Sequence, residues 1–366
     1  MVIQHYDTIM PSDVPVIAVV ISVCFTGFLC NIVAFNFYKQ SPSLSKSIFL
    51  LKAISLIDLV TCLCLPFKTS LLFASSTFTS DISCKLLMYS SNACLGSSSF
   101  VFSLIGVDRF LTVHSGPSKV KLTLRSTKYL TIGSVLGACV FAIPDLLAAG
   151  IRTYKCTIQQ TTNMTSTCHS CHDSAKHSEL AQIHRLIKVT FVFVSSVTLI
   201  IMYALIARKL KKSTVTSRSM NISTLPSSND VSLSNILDVQ QQNGFSTDSN
   251  DQFKENKSCM FPITQKRQTS HMRSLSQRIT LMAFLMTIVS LLSIVPYFVI
   301  KYASYTNGIE YLNEYPLWLK LLYHTYVLGS CLNPFIIGYC NTQFRDYVKG
   351  ILCCICLKQK IPQALE

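Results

Sequence analysis

Charged residues are scarce in this 366-residue sequence, and acidic residues are the scarcest of them. Only 13% of the residues are charged and 49% are hydrophobic, whereas an average soluble domain has about 25% charged residues. This shortage excludes an ordinary soluble protein and indicates a membrane protein. The 32 Lys and Arg residues outnumber the 17 Asp and Glu residues. They lie between apolar stretches rather than on one folded domain, so we exclude nucleic acid as a partner.

Seven apolar stretches are each long enough to cross a bilayer, which takes about 20 mainly apolar residues per helix. They lie at about 14–38, 47–73, 83–114, 128–149, 182–207, 275–300 and 315–339. The stretches are continuous rather than alternating, which excludes a membrane β-barrel. Within them we find no spaced carboxylate pair, nucleophile–base set or phosphate-binding loop. The sequence therefore predicts an all-α membrane protein that is not an enzyme.

Lys and Arg are concentrated in alternate connections, namely the first, third and fifth, and in the tail after the seventh stretch. Because basic connections stay in the cytoplasm, we expect a multi-pass plasma-membrane protein with its N-terminus outside and its C-terminus inside. The opening residues MVIQHYDTIMPSD lack the basic region of a cleavable signal peptide, so residues 1–13 are interpreted as a short extracellular segment.

The fifth connection, at about 211–274, is rich in Ser, Thr, Asn, Asp and Gln. Such a composition buries too little apolar surface to offset the entropy of ordering, which predicts a disordered cytoplasmic loop. Residues 353–366 form the predicted cytoplasmic tail. It begins with Cys353, Cys354 and Cys356, which are suited to palmitoylation and so to contact with membrane lipid.

An acid and a base, Asp108 and Arg109, lie side by side at the inner end of the third stretch. Ionisable residues are costly in a membrane and therefore mark candidate functional sites. Further polar and proline residues recur within the stretches, and they are Asn31, Asp58, Pro66, Tyr203, Pro296, Asn333 and Pro334. These residues occur in the order, and on the predicted sides of the membrane, that are typical of the rhodopsin-like (class A) G-protein-coupled receptors. The chain resembles this family over roughly 14–352, including the segment NTQFRDYVKG after the seventh stretch.

The resemblance implies a seven-transmembrane helix bundle with a short amphipathic eighth helix. It also implies a heterotrimeric G protein as partner, with arrestin and receptor kinases as further partners. In this family the equivalent of Asp108 restrains Arg109 in the resting state. On activation the sixth helix, which bends at Pro296, swings outward, and the arginine turns towards Tyr203 and the G protein.

Asp58 lies in mid-span, where a lone carboxylate needs a cation, a proton or hydrogen-bond donors. The resemblance implies an allosteric sodium ion held by Asp58, Ser98 and Asn333. Two neighbouring positions depart from the family pattern, because Gly329 replaces a usual polar residue and Ile294 replaces the usual Trp of the sixth helix.

Other departures concern the switch itself. Ser195 replaces the usual proline of the fifth helix, and Ile337 takes the place of the activation tyrosine, with Tyr339 about 200° further round the helix. The fourth stretch has no Trp, since the single Trp of the chain is Trp318. These departures keep open a decoy or scavenger receptor with little G-protein output. A seven-helix transporter would need a continuous charged path, for which Asp58 is too isolated.

The ligand class is narrowed by two further positions. Ser91 stands where amine receptors carry their ammonium-binding aspartate, which argues against a monoamine. Val327 stands where opsins carry the retinal lysine, and 321–348 contains no Lys, which excludes a usual photopigment.

Three lysines, Lys68, Lys188 and Lys301, lie in the outer halves of the predicted spans. Tyr297, Tyr323 and Tyr326 lie near them in sequence register, and Ser91 is a further candidate ligand-binding residue. Such a pocket favours an anionic group, for example a peptide carboxylate, a sulfated residue or a small acid. In the alternative interpretation the lysines extend to lipid headgroups.

The fourth connection, roughly 150–181, is long enough for the hairpin that covers the pocket of peptide receptors. The resemblance implies a disulfide from this connection to Cys84. The spacing before the fifth stretch favours Cys168, with Cys171 and Cys156 as alternatives. Asn163 begins a glycosylation sequon on the outer side.

Cys168 to His172 also spells the CxxCH haem-attachment motif and, with His177 and His184, could suggest zinc. The surrounding sequence resembles no haem domain, and Cys84 competes for the same thiols. If receptor kinases act on this protein, we expect them to phosphorylate the Ser/Thr-rich part of the loop, 213–250.

Overall fold

The computed structural model describes residues 13–41, 45–72, 79–114, 122–158, 164–173, 178–222, 263–306 and 315–360. Within these ranges the helices are α1 (Val14–Gln40), α2 (Lys46–Leu72), α3 (Asp81–His114), α4 (Leu124–Ala148), α5 (Ser178–Ile222), α6 (Ile263–Thr306), α7 (Leu317–Tyr323), α8 (Val327–Cys331), α9 (Asn333–Cys340) and α10 (Thr342–Lys360). Strands β1 (Ala149–Ile158) and β2 (Met164–Asp173) follow α4.

Six helices contain a segment that is long and apolar enough to cross a membrane, and they are α1 to α6. Their outward faces carry large apolar side chains, such as the exposed Phe25, Phe67 and Phe193, while carboxylates and amides such as Asp58 and Asn333 are buried inside. Apolar outside and polar inside is the arrangement that lipid requires. The predicted multi-pass, all-α membrane protein is confirmed at this level.

The seventh predicted stretch, 315–339, is helical but interrupted, although its apolar length predicts one continuous helix. A short 3₁₀ segment, His324–Tyr326, separates α7 from α8, and Asn333-Pro334 begins α9. The Thr325 hydroxyl donates to the carbonyl of Leu322 at 2.9 Å, and such side-chain bonds compete with the helical backbone pattern. Pro334 has no N–H to donate.

The helix that follows, α10, is fixed to the end of α9. Arg345 Nη1 donates to the carbonyl oxygens of Gly338 and Tyr339 at 3.0 and 2.9 Å, which satisfies acceptors that a helix end leaves free. Phe344 is buried, and its ring centroid lies 5.3 Å from that of Phe37 in α1. These contacts hold α10 against the bundle.

The chain divides into two compact units, one made of Met1–Ile206 with Gln277–Glu366 and the other of Ala207–Ser276. In the second unit, the described residues are the end of α5 and the beginning of α6. The predicted disordered loop at 211–274 is therefore helical up to Ile222 and from Ile263. The loop prediction was wrong at both ends, because α5 and α6 each continue as a helix from the apolar stretch into the neighbouring basic segment. The remainder of that loop lies outside the described residues.

β1 and β2 form an antiparallel hairpin in which Ile151 lies opposite Cys171. The Ile151 N–H donates to Asp81 Oδ1 at 3.2 Å, next to the start of α3. Cys84 and Cys171 form a disulfide. Our preference for Cys168 was wrong, because the register puts Cys168 opposite Tyr154, three residues further along the hairpin from its contact with α3. We call this end of the bundle the disulfide end.

Small residues let helices approach closely. A Cβ added at Gly27 in α1 would lie 2.5 Å from Cys331 Sγ and 2.9 Å from its Cβ in α8, so no larger residue fits there without movement. A buried apolar cluster joins α1, α2, α3, α6, α9 and α10. Its members include Ala34, Leu50, Ile54, Val101, Ile105, Met286, Ile337 and Phe344.

Candidate functional site

Asp108 and Arg109 form a buried ion pair near the end of α3 that lies away from the disulfide. Arg109 Nε donates to Asp108 Oδ2 at 3.1 Å, and Arg109 Nη2 donates to the same oxygen. Both side chains are almost fully buried. The guanidinium has five donors and cannot lose its charge, so this pairing fixes its direction along α3. We call this end of the bundle the arginine end.

Two residues at the start of α2 complete this site, and the sequence pointed to neither. Lys46 Nζ lies 2.7 Å from Asp108 Oδ1 and 3.5 Å from the hydroxyl of Thr112. Arg109 Nη2 donates to Ser47 Oγ at 2.6 Å. Asp108 therefore has a cation on each carboxylate oxygen. In the sequence alone, a lysine between two apolar stretches indicates only topology.

Tyr203 of α5 is buried, and its hydroxyl lies 3.4 Å from that of Thr287 in α6. The tyrosine thus joins α5 to α6. Pro296 lies further along α6, inside the helix. The predicted switch residues Asp108, Arg109 and Tyr203 consequently share one end of the bundle.

The activation-tyrosine position is occupied by a core residue. Ile337 is 0% exposed and packs in the apolar cluster, whereas Tyr339 is 76% exposed. Tyr339 therefore does not substitute for the missing tyrosine, because its ring lies outside the bundle.

In mid-bundle, Asp58 of α2 is fully buried between α3 and α9. Asn333 Nδ2 donates to Asp58 Oδ2 at 2.6 Å, and Ser98 Oγ donates to Oδ1 at 3.4 Å. Asn31 of α1 donates to the carbonyls of Gly27 and Ser330 at 2.9 and 3.1 Å. The three predicted sodium-site residues are thus brought together, and Asn31 ties the same layer to α1.

The oxygen set of this layer fits a sodium ion. Besides the carboxylate, it offers the Ser98 hydroxyl and Asn333 Oδ1, which is buried and has no hydrogen-bond partner among the described residues. Hard cations prefer such carboxylate, hydroxyl and carbonyl oxygens. When bound, the ion would supply positive charge next to Asp58, where Ser98 and Asn333 otherwise donate hydrogen bonds.

Towards the disulfide end, two lysines and three tyrosines form the lysine–tyrosine cluster, which consists of Lys68, Tyr297, Lys301, Tyr323 and Tyr326. Lys68 Nζ lies 5.4 Å from the ring centroid of Tyr326 and 5.9 Å from that of Tyr297. Lys301 Nζ lies 5.7 Å from the Tyr297 centroid and donates to its hydroxyl at 3.3 Å. Aromatic faces attract ammonium groups at such distances.

The tyrosine rings also pack on one another. The Tyr297 centroid lies 4.9 Å from that of Tyr323 and 5.0 Å from that of Tyr326. Lys68 is buried inside this arrangement, so for this residue the lipid-headgroup interpretation is wrong. Ser91 is buried as well, but its hydroxyl donates to the Leu87 carbonyl of its own helix at 2.7 Å.

Lys188 has a carboxylate partner that the sequence did not reveal. Its Nζ lies 2.5 Å from Asp145 Oδ1, and His184 Nδ1 lies 3.4 Å from the same oxygen. His184 Nε2 lies 2.9 Å from the Phe141 carbonyl. Asp145 belongs to α4 and the two basic residues to α5. Only the fold could reveal the pairing, because the partners lie on different helices and far apart in the sequence.

A cavity of about 950 Å³ connects these groups. Its lining includes Asp145, His184, Lys188, Tyr297, Lys301 and Tyr326. A second cavity of about 650 Å³ adjoins it towards the middle of the bundle, where hydroxyls line the wall, including those of Ser98, Ser99, Thr287, Ser290 and Ser293. Ile294 lines both cavities.

A second buried ion pair, also unforeseen, joins α7 to the beginning of α1. Lys320 Nζ lies 2.5 Å from Asp13 Oδ1, and the side chains are 1% and 0% exposed. His324 Nδ1 lies 2.8 Å from the Lys320 carbonyl. The pair fixes the end of the chain that precedes α1 next to the lysine–tyrosine cluster.

Several predicted sites remain predictions. Asn163 lies outside the described residues. Cys353 is exposed on α10, and the side chains of Cys354 and Cys356 are outside the description. The haem-attachment and zinc interpretations fail for Cys171, because its thiol is used in the disulfide.

A family model described as 7 transmembrane receptor (rhodopsin family) matches residues 27–337. The match covers most of the chain, from the middle of α1 to α9, and the chain belongs to that family.

Proposed function

We propose that this rhodopsin-family chain is a G-protein-coupled receptor that transmits the binding of an extracellular ligand, a peptide with an anionic group, to a heterotrimeric G protein. The observation that carries the proposal is the division of the interior into two sites. A basic, tyrosine-lined cavity lies towards the disulfide end, and a buried, restrained arginine lies at the arginine end.

The arginine end supports the transducing role. A guanidinium held by Asp108 and Ser47 is a two-state element, since it can leave these partners when α6 moves. Tyr203 and Thr287 join α5 to α6, so movement of α6 breaks this contact and frees the tyrosine hydroxyl for Arg109. A ligand that favours the second arrangement shifts the population towards it.

The disulfide end supports an anionic ligand. Lys301 and Lys68 contact the Tyr297 ring, and Lys188 and Arg185 add positive charge to the cavity, whose lining includes one carboxylate, that of Asp145. A ligand carboxylate would gain charge-assisted hydrogen bonds from Lys301 and the tyrosine hydroxyls. The β-hairpin is attached to the same end of the bundle by the disulfide between Cys84 and Cys171.

The same proposal implies which parts of the chain lie on each side of the membrane and which residues are modified. The disulfide end and residues 1–13 would face outside, and α10 and the loop between α5 and α6 would face the cytoplasm. The segment Leu317–Cys340 would form the seventh crossing and α10 the eighth helix. Asn163 would be glycosylated, Cys353, Cys354 and Cys356 palmitoylated, and the loop phosphorylated by receptor kinases before arrestin binding.

The test is nucleotide exchange by a G protein in membranes that contain the protein, screened with pooled peptide extracts. Arg109→Ala is the transduction variant and Lys301→Gln the ligand variant, each compared at equal surface expression. We expect a response that Arg109→Ala abolishes at any dose, while Lys301→Gln only shifts it to higher doses. A response that persists in Arg109→Ala would contradict the proposed route.

A decoy receptor is the second candidate, and one observation favours it. The Ile337 side chain is fully buried where the family has its activation tyrosine, and Tyr339 is turned out of the bundle. Ligand binding without nucleotide exchange, in wild-type membranes as well as in membranes with the Arg109→Ala variant, would establish the decoy function.

A further inference from the structure

Asp108 is held by two cations of different accessibility. Arg109 contacts Oδ2, and Lys46 Nζ lies 2.7 Å from Oδ1. The Lys46 side chain is 24% exposed and comes from α2, whereas Asp108 is 1% exposed. Thr112 donates to the Asp108 carbonyl at 2.6 Å and also receives Lys46. Lys46 is therefore positioned independently of the arginine.

The two cations have different consequences for the switch. When Arg109 leaves, a buried carboxylate without another counter-ion would remain, and an uncompensated buried charge is strongly unfavourable. Otherwise Asp108 would have to take up a proton. Lys46 removes the need for this proton, because it stays at Oδ1 of Asp108 after Arg109 has left Oδ2. It also weakens the hold of Asp108 on Arg109, since one carboxylate serves two cations.

We propose that Lys46 is a positioning residue for the switch, the counter-ion that stays with Asp108 and lets Arg109 leave it without protonation. This inference rests on the proposed function. Ser47 has the opposite effect, because its hydroxyl accepts from Arg109 only in the restrained arrangement. Neighbouring residues at the start of α2 thus bias the same arginine in opposite directions.

The charged groups described around Asp108 are Lys46 from α2 and Arg109 from its own helix. Ser47 and Thr112 contribute uncharged hydroxyls. Removing the charge of Asp108 should therefore remove the effect of Lys46.

The first experiment measures ligand-independent nucleotide exchange in membranes. We expect Lys46→Gln to lower it about tenfold, because release of Arg109 then strands a buried charge. Lys46→Arg should keep it and Ser47→Ala should raise it.

Asp108→Asn provides the internal control. It releases Arg109 and should raise exchange, and Lys46→Gln should have no effect in its background, because the charge that Lys46 compensates is gone. An equal effect of Lys46→Gln in the wild-type background and in the Asp108→Asn background would overturn the proposal.

The second experiment needs neither ligand nor G protein. Arg109→Ala reproduces the charges of the released state, and the melting temperature of the purified protein is measured for it with and without Lys46→Gln. We expect Lys46→Gln to lower the melting temperature of Arg109→Ala, because Asp108 then keeps a buried charge without either cation. Adding Asp108→Asn should restore it.

If the double variant does not fold, its recovery on adding Asp108→Asn gives the same information. Identical melting temperatures for Arg109→Ala with and without Lys46→Gln would overturn the role of Lys46. A flat exchange signal in all variants, Asp108→Asn included, would instead overturn the proposed function, and the melting profiles would still decide on Lys46.

Discussion

Several charged side chains among the described residues are paired with partners far away in the sequence, and the pair least foreseeable from the sequence is Asp13 with Lys320. Their side chains are 0% and 1% exposed, with 2.5 Å between Oδ1 and Nζ. Loss of one partner leaves the other charge buried, which costs about 3–5 kcal/mol in a typical protein. The contact lies beside the lysine–tyrosine cluster, so it positions α7 as well as stabilising the fold.

We therefore expect Asp13→Asn to lower the stability of the purified protein by about 3 kcal/mol. Lys320→Met with Asp13→Leu should restore most of it, because two apolar residues leave no uncompensated charge. Thermal unfolding in detergent measures both variants, with Asp81→Asn as the matched control at an exposed ion pair. Equal losses for Asp13→Asn and the apolar double variant would contradict the explanation.

A second prediction at this scale concerns the disulfide. Cys84→Ser and Cys171→Ser should each reduce surface expression, because the hairpin loses its attachment to α3. Cys168→Ser, the matched control, should leave it unchanged. Non-reducing peptide mapping should recover Cys84 joined to Cys171, and a peptide joining Cys84 to Cys168 would refute the register.

Asp58 and Arg109 could be predicted as site residues from the sequence, because ionisable side chains are energetically costly in a membrane. The partners of the site residues could not be predicted. Lys188 belongs to the predicted pocket, but its pairing with Asp145 depends on how α4 packs against α5. Lys46 looks like a loop charge in the sequence, and only the start of α2 beside the end of α3 gives it a role. The choice between Cys168 and Cys171 needed the strand register.

At the scale of helices, apolar length predicted six crossings well, because length and composition alone define them. The seventh stretch shows the limit of that reasoning. Thr325 and Pro334 interrupt its backbone pattern, yet their effect depends on local hydrogen bonds such as that from Thr325 to the Ser293 carbonyl at 2.9 Å. The helical extensions of α5 and α6 beyond the membrane were missed because their sequence is polar.

The packing of the helices predicts that a Gly→Ala substitution has different effects on stability at two positions. Gly27→Ala should destabilise the protein by about 1–3 kcal/mol, as overpacking does, because its new Cβ meets Cys331 in α8. Gly137→Ala in α4, where nothing lies within 4 Å, should be neutral or stabilising, since alanine favours helix. Melting temperatures of the two variants test this. A stable Gly27→Ala would show that α1 and α8 do not pack so closely.

At the scale of the whole molecule, polar groups run through an apolar bundle from one end to the other. The lysine–tyrosine cluster and its cavity adjoin the hydroxyl-lined cavity, which in turn includes Ser98 and Ser330 beside the Asp58 layer. That layer joins α1, α2, α3 and α9. A change in the cavity can therefore reach helices that also carry the arginine end.

The Asp58 layer provides the last prediction. Because its carboxylate, hydroxyl and amide oxygens fit sodium and come from three helices, sodium should stabilise the whole bundle. A ligand at ten times its dissociation constant adds about 1.4 kcal/mol. With an unfolding entropy of about 2.1 cal/mol/K per residue, this raises the melting temperature of a chain this size by about 2 °C. We expect that rise for wild type in sodium relative to equimolar potassium.

Asp58→Asn is the matched variant, since its amide has the shape of the carboxylate and can still bond to Ser98 and Asn333. It should melt at the same temperature in sodium and in potassium. An equal sodium effect in both proteins would place the ion elsewhere. If neither protein responds, the sodium assignment is wrong, and Asp58 is held by hydrogen bonds from its neighbours, among them those of Ser98 and Asn333.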